Sequence, residues 1–334
     1  MIFTIKKTKY STKSKTACLF FGIKLFVRIK TSTAKYYILP GFVVRFNNTN
    51  SDAARAKRFR ETAPEDYVKF FAEIAPQNPK TLNEKIKWLG IYDATPLKTL
   101  CADKYLARQW VAEQVGEQYL IPLLGVWDSF DEIDFASLPD QFVLKCNHGS
   151  GWNVAVPDKR TFDRAAAKRK FDLWMRKNLA FTCFELQYLD IQPKIIAEKF
   201  LRQEDGSRLS DYRFHVFHGK PEFIRKTITT PEGHPGLSYT PSWEITPFQF
   251  ISHPLADPIP KPRCLDEMLA VAVQLAAPFC FVRVDLYEVG GRVYFGEMTF
   301  TPVSGRHKFN HPKYDGILGD MLNLPEARIY QPRP

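Results

Sequence analysis

Phe281–Gly305 reads FVRVDLYEVGGRVYFGEMTFTPVSG. Apolar residues alternate with polar ones on both sides of Gly290-Gly291, so a hairpin over Phe281–Val289 and Val293–Phe300 is expected. If the turn is Gly290-Gly291-Arg292, Val289 faces Val293. Counting back then sets Asp285 opposite Glu297 and Arg283 opposite Thr299, four side chains on one face. Opposed positions sit about 4.5–5.5 Å apart at Cβ, where like charges repel. Two carboxylates there need a cation or a shared proton. Hard oxygen ligands suit Mg²⁺, which takes one or two carboxylates and fills its remaining positions with water and substrate phosphates. A turn of two residues would send the two acids to opposite faces. The alternative is a solvated acid pair, against which the apolar Phe281, Val282, Val284 and Leu286 weigh.

Outward from this hairpin the chain alternates antiparallel pairs with helices. Asp211–His218 and Pro221–Thr229 read as a second hairpin across His218-Gly219-Lys220. Thr230–Pro262 holds eight prolines and reads as a long loop, a functional candidate with His234, Tyr239 and Trp243. Helices are expected over Asn83–Asp93, Asp103–Val115, from a Thr161 cap to about Asn178, over Leu265–Ala277 and near Asp315–Leu322. Phe142–Cys146 and Lys194–Leu201 read as strands, the first followed by the loop Asn147–Asn153 and a return strand Val154–Val156. Long hairpins interleaved with helices predict an α+β fold and not a doubly wound parallel sheet.

Charge is unevenly spread. Residues 1–60 hold 14 Lys and Arg against Asp52 alone, a net +13, so the rest of the chain stands at −2 within a total of +11. A slightly acidic body has no general pull on phosphate backbones, which argues against nucleic acid as a partner. Six scattered cysteines without a C-x-x-C pair fit a reducing compartment. The apolar run Ala17–Ile29 is broken by Lys24 and Arg28 and falls short of the roughly 20 residues a membrane span needs. The basic residues before it leave a weak signal-peptide pattern or a peripheral membrane contact through residues 1–35 as alternatives to an unstructured leader. A cytoplasmic protein, with the inner membrane face as a variant, is the expectation.

Three shorter patterns carry chemistry. Lys145 lies in the apolar strand FVLKC, where an ammonium needs an anion, and His148-Gly149-Ser150-Gly151 follow it. Glycines there let backbone N–H groups approach phosphates, although an ordinary glycine hairpin has the same look and neither Walker A nor G-x-G-x-x-G occurs. Asp103-Lys104 reads as a helix start, and Glu198-Lys199-Phe200-Leu201 as a strand end. His215 and His218 point to opposite faces of a strand, and His307 and His311 lack the Glu of H-E-x-x-H, so zinc is not expected. No G-x-S-x-G elbow occurs.

Taken in order, these patterns resemble the ATP-grasp superfamily. NPKTLNEKIKW (Asn78–Trp88), LPDQFVLKCNHGSG (Leu138–Gly151) and FVRVDLY…VYFGEMTFTPVSG are similar to TupA-type ATP-grasp proteins of bacterial surface-polysaccharide clusters, over roughly residues 64–324. The resemblance implies two α+β lobes clasping a nucleotide between antiparallel sheets. A basic extension, disordered or peripheral, would cover 1–60 and an N-terminal helical region 61–140. The small lobe with its glycine flap would cover 141–201, and the large lobe with the metal-binding hairpin 202–334.

It further implies that Lys104 and Lys145 hold ATP phosphates, with Lys145 also near the adenine. His148, Gly149, Ser150 and Gly151 would form the flap, and Glu198, Lys199 and Leu201 the adenine edge. Asp285 and Glu297 would bind Mg²⁺, with Thr299 where the family has Asn, and Arg283 would neutralise the transferring phosphoryl group. The implied activity is an ATP-dependent carboxylate–amine ligase working through an acyl phosphate on a sugar acid or glycan, with an amine donor. Two other readings use the same residues: a metal-dependent glycosyltransferase, and a non-catalytic carbohydrate-binding protein, for which Thr299 speaks.

Overall fold

A computed structural model describes residues 3–9, 14–20, 23–30, 34–39, 42–47, 52–62, 66–203, 206, 209–228, 230 and 233–328. The chain divides into two compact units, 1–74 with 181–183, and 75–180 with 184–334. In the first unit, β1 (Phe3–Lys9), β2 (Ser14–Phe20), β3 (Ile23–Lys30), β4 (Ala34–Leu39) and β5 (Phe42–Asn47) pair in sequence order as an antiparallel meander. The stretch read from sequence as a basic extension therefore carries five strands, and the broken apolar run lies on β2 and β3. Helices α1 (Asp52–Glu61) and α2 (Tyr67–Ile74) follow, with Phe59 of α1 packed on Phe70 and Phe71 of α2.

The second unit opens with α3 (Leu82–Tyr92), started by a capping box between Thr81 and Glu84. Then come α4 (Pro96–Ala102) and α5 (Ala107–Gln114). A single helix from Asp103 was expected; the chain breaks there instead. The Asp103 carboxylate accepts from the N–H groups of Tyr105 (2.8 Å) and Leu106 (3.2 Å), an Asx turn that competes with the helical ladder. Leu106, an apolar residue just before α5, is 44% exposed as a result.

Four strands form the smaller sheet: β6 (Leu123–Trp127), β7 (Phe142–Cys146), β8 (Asn153–Val156) and, after two helices, β9 (Ile195–Lys199), in the order β6-β9-β7-β8 with antiparallel pairing throughout. Between β8 and β9 the chain forms α6 (Arg164–Trp174) and the single turn α7 (Ala180–Cys183), of which residues 181–183 belong to the first unit. Asp163 caps α6 by accepting from Ala166 N–H at 2.8 Å, in place of the Thr161 expected from sequence.

The larger sheet runs β12-β11-β10-β13-β14, again antiparallel, from β10 (Tyr212–Phe217), β11 (Lys220–Thr227), β12 (Gly236–Tyr239), β13 (Phe281–Val289) and β14 (Arg292–Thr299). Helix α8 (Leu265–Ala276) covers its back, burying Met268, Val271, Ala272 and Leu275 with Phe214, Val216, Ile224, Val282, Val284 and Leu286. On the front, Phe217, Phe223 and Phe281 pack with Leu82, Ile86 and Leu89 of α3 and with Leu318 of α9 (Lys313–Asp320). The middle of that front face carries charged residues, and it is here that the register matters.

The β13–β14 turn has two residues, with Val289 paired to Arg292 across Gly290-Gly291. That turn alone would separate the acids. A bulge rescues the register: Leu286 pairs with Phe295 and Asp285 with Glu297, leaving Gly296 as the extra residue. Asp285 thus faces Glu297 and Arg283 faces Thr299, as expected from sequence, by a route that the sequence count did not include. A Cβ on Gly296 would lie 2.9 Å from the Tyr287 ring and 3.0 Å from the Asp285 carbonyl oxygen. Gly296→Ala is therefore expected to lower stability by about 1–3 kcal/mol in urea denaturation. An unchanged midpoint would mean that the bulge does not depend on this close approach.

Candidate active site

The front face of the large sheet presents one row of polar residues across its strands. Paired positions run Ser238 (β12), Arg225 (β11), Arg213 (β10), Asp285 (β13) and Glu297 (β14). Arg283, one step along the same face of β13, donates to both Asp285 oxygens, Nε to Oδ1 at 2.7 Å and an Nη to Oδ2 at 2.6 Å, and also to Glu297 Oε1 at 3.0 Å. Thr299 Oγ1 donates to the same Glu297 oxygen at 3.2 Å. Lys104 Nζ lies 3.0 Å from Glu297 Oε2 and donates to the Gly149 carbonyl at 2.8 Å. The cation demanded by two opposed carboxylates is thus supplied by protein groups.

Burial governs the protonation of this group. It pushes the Asp285 carboxyl up to about 7, against the pull of Arg283 and with the help of the Asp211 and Glu297 charges. Burial would raise Glu297 too, but Lys104 and Arg283 bring it down to about 2. Arg283 stays protonated: burial opposes its charge, and Asp285 and Glu297 overcome that.

The smaller sheet contributes a second set. Lys145 Nζ lies 2.6 Å from Glu198 Oε2 across the β7–β9 ladder, and Arg108 is 3.3 Å from Glu198 Oε1. The anion expected for an ammonium in this apolar strand is therefore Glu198. Both residues line a cavity of about 550 Å³ with apolar walls from Ile121, Val143, Ala155 and Leu209. Lys199, Phe200 and Leu201, where the chain leaves β9, line it as well, and so does Tyr287 of β13, two residues from Asp285. A volume in this range, with a few polar groups on apolar walls, is typical of small-molecule sites.

The loop after β7 is built on Asn147. Its amide donates to Asp103 Oδ2 and to the Gln192 carbonyl, each at 2.9 Å, and its oxygen accepts from Lys194 N–H at 2.7 Å. Lys104 N–H bonds to the Asn147 carbonyl at 3.0 Å, so this one residue fixes the height of Lys104 over the loop. His148, expected in the flap, is buried under it, with its ring against Trp152 and its nitrogens near Asn147 Oδ1 and the Trp174 carbonyl. A Cβ on Gly149 would strike the Trp152 ring at 1.9 Å. Ser150 and Gly151 form the exposed crest, Gly151 with φ 70°.

The structure therefore brings Arg283, Asp285, Glu297, Thr299, Lys104 and Gly149 into one group. Lys145, Glu198, Lys199 and Leu201 gather around the adjoining cavity, whose lining does not include Lys104. From the proline-rich loop, Trp243 stacks on Tyr239 (centroids 4.2 Å apart) and packs against the α8-side core, away from the acids.

A family model described as TupA-like ATPgrasp matches residues 84–323, well over half of the chain. The chain belongs to the TupA-like ATPgrasp family. Comparison with curated proteins finds no match. Among solved structures, this ATP-grasp chain is similar to a D-alanine–D-alanine ligase from Bacillus anthracis complexed with ATP (16% identity over 67% of this chain and 65% of that one, TM-score 0.39). It is also similar to the ATP-grasp ligase PsnB with minimal precursor, Mg and ADP (11%, 81% and 74%, TM-score 0.40). A third is the N5-carboxyaminoimidazole ribonucleotide synthetase from Thermus thermophilus (12%, 71% and 57%, TM-score 0.39). The chain thus spans less than two thirds of the Bacillus and Thermus chains. Among the described residues, no helix is long and apolar enough to cross a membrane.

Sequence reasoning missed Arg213, Arg108 and Glu185. Glu185 is buried and accepts from Ser304 Oγ at 2.6 Å, while Gln187 donates to Thr301 Oγ1 at 2.9 Å. These contacts pin the segment directly after β14, in which Val303, Ser304 and Gly305 take φ 53°, 50° and 61° in succession. Left-handed backbone at a β-branched residue is strained and survives only where neighbours enforce it. Burial pushes Glu185 up to about 7, with Ser304, Thr301 and nearby arginines opposing. Between about 4.5 and about 7 the folded chain keeps a proton that the unfolded chain has lost, so this group makes stability fall as pH rises. Glu185→Gln is expected to remove that slope, gaining about 3 kcal/mol on the wild type between pH 4 and pH 8 in denaturation curves. Parallel curves for the two proteins would refute the assignment.

Proposed function

We propose that the chain binds ATP and Mg²⁺ and joins a carboxylate to an amine through an acyl phosphate. The observation that carries this is the continuity of the apolar-walled cavity, through Tyr287, with the strand that holds Arg283 and Asp285. An adenine fits the Val143–Ala155–Leu209 walls, its edge toward Phe200 and Leu201 beyond the last ladder pair. Its phosphates then run past Lys145 toward Lys104 and Arg283.

The donor set fits Mg²⁺. Asp285 and Glu297 are opposed on one face with the Thr299 hydroxyl beside them. The other coordination positions would come from water and phosphate oxygens, as this ion prefers. Bound there, Mg²⁺ supplies neutralisation of phosphate charge. Arg283, which holds both Asp285 oxygens here, would then be free to turn its guanidinium to the transferring phosphoryl group.

The carboxylate oxygen of the acceptor attacks the γ-phosphorus and ADP leaves. The amine then attacks the acyl carbon, phosphate leaves with the C–O electron pair, and the amine loses a proton. The residues mainly position and neutralise. A sugar acid or glycan of bacterial surface polysaccharide is the acceptor that the family resemblance suggests, and a peripheral membrane contact through residues 1–35, whose side chains lie outside the described residues, would suit it. The glycosyltransferase reading uses the same two acids but gives the apolar-walled cavity no adenine to hold.

ATP–Mg²⁺ is expected to raise the melting temperature where UDP-sugars do not, and ADP release is expected to require both an acid and an amine. Asp285→Asn should cut that release roughly hundredfold or more. Lys145→Ala, which leaves Glu198 with Arg108 alone, should weaken nucleotide binding. Stabilisation by UDP-sugars but not by ATP would overturn the ligase reading.

A further inference from the structure

One cation on the front of the large sheet lacks a counter-ion. Arg225 is 4% exposed, and no described carboxylate pairs with it. Its contacts are one hydrogen bond to Gln249 Oε1 at 3.3 Å and the face of Phe250, 5.7 Å from the ring centroid. Every other arginine or lysine on the catalytic side of this face has an acid: Arg283 has Asp285, Lys104 has Glu297, and Arg213 has Asp211 at 3.1 Å. A guanidinium removed from water without an anion is costly, and proteins keep such groups where a ligand supplies the charge.

The surroundings point the same way. Ser238, directly opposite Arg225 on β12, is fully buried and its hydroxyl has no partner. The Nε2 atoms of His215 and His307 are also buried without partners, their rings 6.3 Å apart, and His307 stacks on the same Phe250 ring that Arg225 faces. His215 Nδ1 lies 3.2 Å from the Arg213 carbonyl, so that nitrogen carries the proton and Nε2 is left as an acceptor. The cluster therefore offers a guanidinium and a hydroxyl to an anion, and acceptor nitrogen to a ligand hydroxyl.

We infer that Arg225 and Ser238 seat a second anionic group of the acceptor, a carboxylate or phosphate remote from the carboxyl that is activated. This rests on the ligase reading above. Arg225 and Asp285 stand in one row with β10 between them, two strand spacings or about 10 Å between backbones. One carboxylate cannot serve both, so the substrate class is a doubly anionic acid, hydroxylated where it passes the histidines.

The test is calorimetry on the full chain with three probes: butyrate, glutarate and 3-phosphonopropionate, each titrated with and without ADP–Mg²⁺. The doubly anionic probes are expected to bind at least about tenfold tighter than butyrate. The tighter of the two identifies the remote group as carboxylate or phosphate. Arg225→Met should abolish that preference while leaving ADP–Mg²⁺ affinity within about twofold. Ser238→Ala, a milder change, should reduce the preference several-fold and serves if Arg225→Met does not fold. Equal binding of butyrate and the dianions by the wild type, or a preference that survives in Ser238→Ala and in folded Arg225→Met, would overturn the inference. Loss of ADP–Mg²⁺ binding by the wild type, with the dianion preference intact in the nucleotide-free arm, would instead strike the nucleotide reading alone.

Discussion

Two carboxylates on adjacent strands, held face to face at the front of a sheet, set the terms for everything around them. Asp285 is 2% exposed, so its charge cannot be left to solvent. Arg283 takes both of its oxygens and reaches on to Glu297, and Lys104 takes the other Glu297 oxygen. Protein cations here occupy the place that, on the proposed reading, a metal and phosphates would fill. On the proposed reading such an arrangement would be exchangeable: the guanidinium and ammonium that neutralise the acids here would be the groups that meet phosphate oxygens.

Lys104 makes the exchange depend on the second sheet. It comes from the break between α4 and α5, and its backbone is tied to Asn147 while its ammonium holds the Gly149 carbonyl. Asn147 in turn bonds Asp103, Gln192 and Lys194. A fully satisfied buried amide of this kind fixes geometry more than it adds stability. The loop after β7 and the ammonium beside the acids are therefore positioned by one residue, and any movement of the loop changes what Glu297 sees.

Much of this was legible in the sequence, for physical reasons that differ by element. Alternation revealed both hairpins, and Lys145 in an apolar strand announced a partner anion, which proved to be Glu198. The register of the acids was reached on a three-residue turn, whereas the chain uses a two-residue turn plus a bulge. A lone glycine inside a strand, Gly296, was the signal for that bulge. His148 misled because a histidine beside glycines looks like a flap residue, while burial against Trp152 decides its place. Glu185 and Ser304 carry no pattern at all; they meet across 119 residues, and only the tertiary fold joins them. Arg213 and Arg225 were equally hidden, since their shared face depends on a pairing register that alternation alone does not supply.

The distribution of charge along the front face separates two kinds of cation. Arg283, Lys104 and Lys145 each sit on a carboxylate, which on the proposed reading each would trade for phosphate without being left bare. Among the described residues Arg225 has no carboxylate to trade, and its neighbours Ser238, His215 and His307 each present an unpaired polar atom. A paired cation suits a ligand whose charge arrives together with a metal ion, because the displaced carboxylate then has the metal to hold. An unpaired cation suits a ligand that brings charge alone. On the proposed reading the row from Ser238 to Glu297 is graded, with metal-compatible chemistry at the β14 end and bare-anion chemistry at the β12 end, and the acceptor would lie between them with its reactive carboxyl toward Arg283.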